Sequence, residues 1–321
     1  MTTPTILVAG ETLVDFLPES AGPLGEVESF SRRAGGAPAN VAIALSQLET
    51  APYFLSNLST DPFGEFLAET LAENGVPTEF VTRDEERKTT LAFVSHDESA
   101  GSDFTFYRDH TADTVLPQER VGDNTLADCA WLYVGGVILA AEPARSAAFR
   151  LVERAREQDC SVVFDPNYRP ELWESDEEFE QVIERMVGLV DVVKTSVEDL
   201  TVTAFHDESP MVVAKNLTRA GPHTAFLTIG EGGSRVVSTA DAPWGETVTT
   251  HPGYPVNAVD TTGAGDAFVA GVLSQLARGE TAPESVLEFA NAVAALTTTE
   301  PGAITALPTR EAVRVFQNRR R

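Results

Sequence analysis

The chain has 321 residues, 42% of them hydrophobic, enough for one large or two medium domains with a full core. No apolar run approaches the roughly 18 residues of a membrane-spanning helix, and the start of the chain lacks the basic region and long apolar stretch of a secretory signal. With 49 Asp and Glu against 23 Lys and Arg, the net charge of −26 argues against a nucleic-acid partner, whose phosphates it would repel.

In chain order, Ile6 to Ala9 reads as a short buried strand ending at Gly10, and Leu13 to Leu17 as a second strand. Residues 18–33 are turn-rich. Gly35-Gly36 opens a helix whose apolar side carries Val41, Ala44, Leu45 and Leu48. Tyr53 to Leu55 is a strand and Phe63 to Glu73 a helix. Thr90 to Val94 and Phe104 to Tyr107 suggest a hairpin around the polar turn Asp97 to Asp103. Beyond residue 110, short apolar strands (Trp131 to Val134, Ser161 to Phe164, Val190 to Val193, Ala225 to Ile229) alternate with helices (Ala144 to Gln158, Glu177 to Val187). This rhythm predicts an α/β fold with a mainly parallel sheet covered by helices on both faces. The early hairpins interrupt it, so they are expected to form a small separate sheet. Ligands in such folds sit beyond the carboxyl ends of the strands. Asp165, Asn167, Lys194, Gly230 and Asp266 mostly follow apolar strands, which points to one site at one sheet edge.

The acidic excess has a second implication. Lys is scarce (Lys88, Lys194, Lys215), and such self-repulsion is screened only in concentrated salt. The expectation is a surface suited to a salt-rich cytoplasm, as in halophilic archaea. Cys129 and Cys160 lie in apolar surroundings and are expected as buried free thiols in a reducing cytoplasm. The five His show no metal-ligand spacing and read as structural or surface groups.

The chemistry concentrates late in the chain, at Val259-Asp260-Thr261-Thr262-Gly263-Ala264-Gly265-Asp266-Ala267-Phe268. Small residues before an apolar helical pattern let the backbone N–H groups of Gly263, Ala264 and Gly265 crowd around an anion at a helix N-terminus. Asp266, in the first turn, can take a proton from an alcohol that attacks a held phosphate. A capped turn with a favourable Asp charge is the plainer reading of Gly-Ala-Gly-Asp alone. Gly35-Gly36-x-x-x-Asn40 offers close backbone approach and an amide suited to sugar hydroxyls. Phe104-x-Phe106-Tyr107-Arg108 combines aromatic faces with a donor for a ketose oxygen or a carboxylate. Walker A and a strand-following GxGxxG are absent, which weakens P-loop and dinucleotide-binding readings.

Asp260 to Phe268 closely resembles the C-terminal signature of the ribokinase-like, or PfkB, carbohydrate kinases, and Gly35 to Asn40 resembles their N-terminal signature. The resemblance runs from Gly10 to Pro308, and Gly-Gly-Ala-Pro-Ala-Asn-Val-Ala looks most like fructokinases. It implies an ATP-dependent sugar kinase with Asp266 as general base. Residues 1–10, 36–87 and 110–321 would form the core, and 11–35 and 88–109 a β lid over the sugar. By resemblance, Asp15, Gly35, Gly36, Asn40, Phe106, Arg108, Asn167 and Arg169 contact the sugar, and Lys194, Ser196, Thr228, Gly230, Gly233 and Asn291 the nucleotide. Asp199 stands for the acidic group that organises Mg²⁺ through water, although this chain reads Ser196-x-x-Asp199 where the family has Asn-x-x-Glu. Asp260, Thr262, Thr297 and Gly302 match a K⁺ loop found in many relatives. A homodimer through the lid is also implied, with no membrane or nucleic-acid partner. 2-Keto-3-deoxygluconate kinase and C1-specific ketohexokinase remain open alternatives, ribose and nucleoside kinases fit less well, and a sugar or nucleotide sensor on the same fold is the non-enzymatic one.

Overall fold

The computed structural model describes residues 5–20, 22–97 and 101–320. The expected polar turn between Asp97 and Asp103 lies partly outside the described residues. The strands are β1 (Thr5–Ala9), β2 (Leu13–Pro18), β3 (Phe30–Gly35), β4 (Tyr53–Ser59), β5 (Val81–Asp84), β6 (Leu91–Asp97), β7 (Gly101–Tyr107), β8 (Cys129–Gly135), β9 (Ser161–Asp165), β10 (Val192–Ser196), β11 (Thr224–Thr228), β12 (Ser234–Ser238) and β13 (Thr247–His251). The helices are α1 (Ala37–Gln47), α2 (Pro62–Glu73), α3 (Asp123–Asp128), α4 (Ala144–Glu157), α5 (Asp176–Val187), α6 (Pro210–Ala220), α7 (Ala264–Leu276), α8 (Pro283–Thr297) and α9 (Arg310–Asn318).

Nine strands form one sheet in the order β13-β12-β11-β10-β9-β8-β1-β4-β5. Pairing is parallel from β11 through β5, and β12 and β13 add antiparallel strands at one edge. The parallel strands read as near-continuous apolar runs because both faces are covered. One core cluster joins the sheet to α1, α2, α7 and α8, and another joins its opposite face to α4, α5 and α6. Cys129 and Cys160 are buried free thiols in the second cluster.

The remaining strands form a smaller sheet, β3-β2-β6-β7. All four fall within residues 11–35 and 88–109. Phe16 stacks on Phe93 within this sheet at 4.9 Å and meets Phe63 of α2 edge-on at 5.7 Å. The strand β3 takes up the last part of the segment 18–33 that reads as turn-rich. Gly22, Pro23 and Gly25 do mark turns, but the chain straightens from Phe30 and pairs antiparallel with β2. Its Arg32 and Arg33 face solvent, so the segment has no apolar alternation to betray it. A correction concerns β10, which begins two residues later than expected. Lys194 therefore lies inside a buried strand rather than after it.

Among the described residues, no helix is long and apolar enough to cross a membrane.

Candidate active site

The carboxyl ends of β1, β8 and β9, the N-termini of α1 and α7 and the inner face of the small sheet enclose a cavity of about 450 Å³. That volume suits a small ligand. Its wall includes Asp15, Gly36, Asn40, Phe106, Asn167, Arg169, Asp260, Thr262, Gly263 and Asp266, so ten residues expected at the site meet in one place.

The N-terminus of α7 is the chemical centre. Gly263 caps it at φ 75°, a left-handed conformation, and a Cβ there would lie 2.7 Å from the Ala303 Cβ. Only glycine meets both conditions. The N–H of Ala264 closes a turn onto the Thr261 carbonyl at 3.2 Å. That corrects its expected place among the anion donors. Gly263 and Gly265, with the first turn of the helix, are left to face an anion.

Asp266 is 8% exposed and accepts a hydrogen bond from Asn40 Nδ2 at 2.8 Å. Burial raises its pKa, while the Asn40 hydrogen bond and the charges of Lys194 and Arg169 pull it back. The outcome is a buried carboxylate with a raised affinity for a proton, as a general base needs. Asn40 thus orients the base with its amide nitrogen, and its buried Oδ1 has no partner within the protein.

Lys194 sits beneath this turn. Its Nζ pairs with Asp165 Oδ2 at 2.8 Å, and it comes within 3.0 Å of where a Gly265 Cβ would stand. Burial alone would lower the lysine pKa, but Asp165, Asp199 and Asp266 offset this and hold it above its usual value. Lys194 is therefore a fixed buried cation under the anion-binding turn.

On the sugar side, Asp15 points at the backbone of Gly35, where a Cβ would collide with its carboxylate. Burial raises Asp15 to about 7, against the opposing charge of Arg169. Phe104 and Phe106 stack 5.7 Å apart, and the Arg169 guanidinium lies 5.4 Å from the Phe104 ring centre. Asn167 takes φ 44°, in the left-handed region that Asn tolerates.

Several expected residues are employed otherwise. Arg108 does not line the cavity. Its Nε pairs with Asp113 at 2.7 Å and its Nη1 donates to the Val137 carbonyl. Asp199 accepts from Ser196 N, Ser196 Oγ and Tyr168 N, so it ties the ends of β9 and β10 together. Asn291, buried in α8, donates to Ser234 Oγ and the Leu287 carbonyl. Thr297 is fully buried and donates to the Val293 carbonyl. Ser196 and Thr228 are register partners on β10 and β11, and Gly230 and Gly233 turn just beyond them with φ of 50° and 79°. Asp260 accepts from Thr262 N with one oxygen and from Gly302 N with the other. It fastens the loop before α7 to the loop after α8.

Glu11 also lines the cavity, and sequence reading passed over it. A carboxylate directly after a buried strand, at the carboxyl edge of the sheet, was the available signal. Burial raises it to about 7, the Arg108 charge opposing.

A base beside a helix N-terminus, under a sheet that covers a sugar-sized chamber, defines an enzyme that transfers a phosphoryl group to an alcohol. Residues 3–310 match the model of the pfkB family carbohydrate kinases, and the chain belongs to that family. A fructokinase of Vibrio alginolyticus is 36% identical over 309 residues, 95% of this chain and 96% of that one. Among solved structures, fructokinase from Xylella fastidiosa with bound ATP is 32% identical with a TM-score of 0.87, covering 99% of both chains. A double mutant of fructokinase from Vibrio cholerae O395, bound to fructose, ADP and a potassium ion, is 29% identical with a TM-score of 0.84, covering 98% of both.

Proposed function

We propose that the protein is an ATP-dependent fructokinase. The observation that carries this is Asp266, buried at the first turn of α7 and opening onto the chamber that Asp15, Asn40 and Arg169 share. Asp266 takes the proton of the attacking hydroxyl. The N–H groups of Gly263 and Gly265 stabilise charge on the transferring phosphoryl group, with Lys194 as a fixed cation behind them. Asn40 holds Asp266 in position through the step. Asp15, the Gly35-Gly36 backbone, Phe106, Asn167 and Arg169 orient the ketose. The nucleotide lies over the ends of β10 and β11, against Ser196, Thr228, Gly230 and Gly233.

Among the described residues no cluster of three or more His, Cys, Asp or Glu is arranged to hold a metal ion. This suits Mg²⁺, which is held mainly by phosphates and water. When bound it would neutralise phosphate charge, with Asp199 acting through a water molecule. The meeting of the Asp260 and Gly302 loops supports K⁺ as a second ion. Asp260, Thr262 and Gly302 would hold it with a backbone carbonyl of Thr297, and it would stiffen the phosphate-binding turn. The open edges of β3 and β7 support a lid-to-lid homodimer, which sedimentation measures. Small molecules, rather than nucleic acids or membranes, are the partners of this reading.

The charge of the chamber favours a neutral sugar. Among the described residues, Glu11, Asp15, Asp260 and Asp266 line it against one cation, Arg169. Arg108, the other expected partner of a sugar acid, is engaged by Asp113. The test is an ADP-release assay in molar KCl with Mg-ATP, with Asp266→Ala as the blank. Preference for fructose over 2-keto-3-deoxygluconate is the expected result. The reverse preference would move the protein to sugar-acid catabolism.

A further inference from the structure

The strands β6 and β7 supply Val94, Phe104 and Phe106 to the chamber wall, so their angle to the large sheet decides how that wall meets a sugar. The chain enters this pair through residues 86–90 and leaves it through 108–113. Both passages are fastened at or just beyond the carboxyl end of β4. On the way in, Ser59 Oγ donates to the Arg87 carbonyl at 2.7 Å, and Asp61 accepts from Thr89 N at 2.9 Å and from Thr89 Oγ1 at 2.7 Å. On the way out, Asn57 Nδ2 donates to the Ala112 carbonyl at 3.0 Å.

One side chain ties the two passages to each other. Asp113, in the short turn at 112–114, is buried. Its Oδ1 accepts from the hydroxyls of Thr90, on the way in, and Thr111, on the way out. Its Oδ2 accepts from Arg108 Nε at 2.7 Å, and Arg108 Nη1 donates to the Val137 carbonyl at 3.1 Å. Val137, just beyond β8, is itself part of the chamber wall. The passages are already paired by backbone, with Ala112 N donating to the Lys88 carbonyl at 2.9 Å. A buried ion pair adds little net stability over apolar side chains of the same volume, whereas a buried polar network makes what it joins rigid. Its contribution here is therefore one of direction.

We infer that Asp113 is a positioning residue: through Thr90, Thr111 and Arg108 it sets the angle at which β6 and β7 stand over the chamber, and so the fit of Phe106 to the sugar, without touching the sugar itself. The inference rests on the sugar-kinase reading above. Phe106 lies two residues before Arg108 on the same strand end, which makes its ring the first to move if the pair is broken.

The test is steady-state kinetics on the wild type, Asp113→Asn, Thr90→Val, Phe106→Ala and Asp113→Asn/Phe106→Ala, at a temperature where melting curves show each variant folded. Asparagine keeps an acceptor for the two threonines but turns a donor towards the arginine. Asp113→Asn is expected to raise the fructose KM about tenfold and Thr90→Val about threefold, with the Mg-ATP KM unchanged in both. In the Phe106→Ala background, Asp113→Asn should add less than about threefold, because the ring it aims is gone. A merely structural pair would lower the melting temperature without this split and without this coupling. A folded Asp113→Asn with a fructose KM within about twofold of wild type overturns the inference, as does an equal rise in both KM values or a full second tenfold on top of Phe106→Ala. If Asp113→Asn does not fold, Thr90→Val decides: a rise in the fructose KM alone supports the inference, and an unchanged value overturns it. A wild type that binds Mg-ATP but does not turn over fructose overturns the fructokinase reading itself. Wild-type turnover with an indifferent Asp113 overturns the positioning role alone.

Discussion

The two sides of the chamber are built differently. The phosphate side is braced from behind: Asp260 joins two loops, Lys194 pairs with Asp165 beneath Gly265, and α7 packs on α1 and α8 within a core cluster. The sugar side is a single twisted layer. Its β3 is half exposed, and Tyr107 shows 62% of its surface to solvent. The difference separates two tasks. Stabilising a developing charge requires groups that do not relax, whereas recognition requires a surface that admits the substrate before enclosing it.

The largest expected effect lies on the braced side. Asp266→Asn should lower kcat by about 10²–10⁴ with Mg-ATP and fructose still bound, as steady-state kinetics and calorimetry would show. Near-normal turnover would remove Asp266 from the mechanism. Lys194→Met comes next, because it strands Asp165 as a buried unpaired charge. Unfolding free energy should fall by about 3–5 kcal/mol, and the acid limb of the pH–rate profile should move up as Asp266 loses a stabilising cation. The double variant Lys194→Met/Asp165→Leu sharpens the point. It should recover stability and leave activity low; recovery of both would make the pair merely structural.

Acidity should move the two sides together. Glu11 and Asp15 are each raised to about 7 from ordinary carboxylate values, so the folded chain binds more protons than the unfolded one between about pH 4.5 and 7. Their contribution to stability is complete below the unfolded pKa values and is lost as pH rises through 7. Catalysis needs Asp266 ionised, and its pKa is raised as well. Turnover should therefore climb towards neutrality while this part of the stability declines, and parallel melting and rate profiles would test the opposition.

Smaller effects belong to the thin side and the surface. Phe106→Ala should raise the fructose KM by about tenfold with kcat nearly unchanged; a fall in kcat alone would give the aromatic pair a different role. The melting temperature should rise between dilute buffer and molar KCl, as screening relieves the net charge of −26. A flat response would count against a surface adapted to salt.

Much of this arrangement was legible in the sequence because local chemistry and periodicity agree there. The Gly263–Asp266 turn, the opening of α1 and the alternation from β8 onward all follow from patterns within a dozen residues. What escaped was made by distant pairings. The Lys194–Asp165 contact arises because β9 and β10 lie side by side. Arg108 was expected in the substrate site, but Asp113, reached through a bend five residues on, claims it. Edge strands were faint for a related reason: β3 and β13 bury little of either face, so neither carries strong alternation.

The chain passes from the small sheet to the partner of the base within six residues. β3 ends at Gly35, Gly36 turns, and α1 brings in Asn40, whose amide holds Asp266. Whatever sets the strand therefore also sets the proton acceptor, through a few peptide units and one hydrogen bond. The joint at Gly35-Gly36 thus carries recognition and proton transfer on one short stretch of backbone.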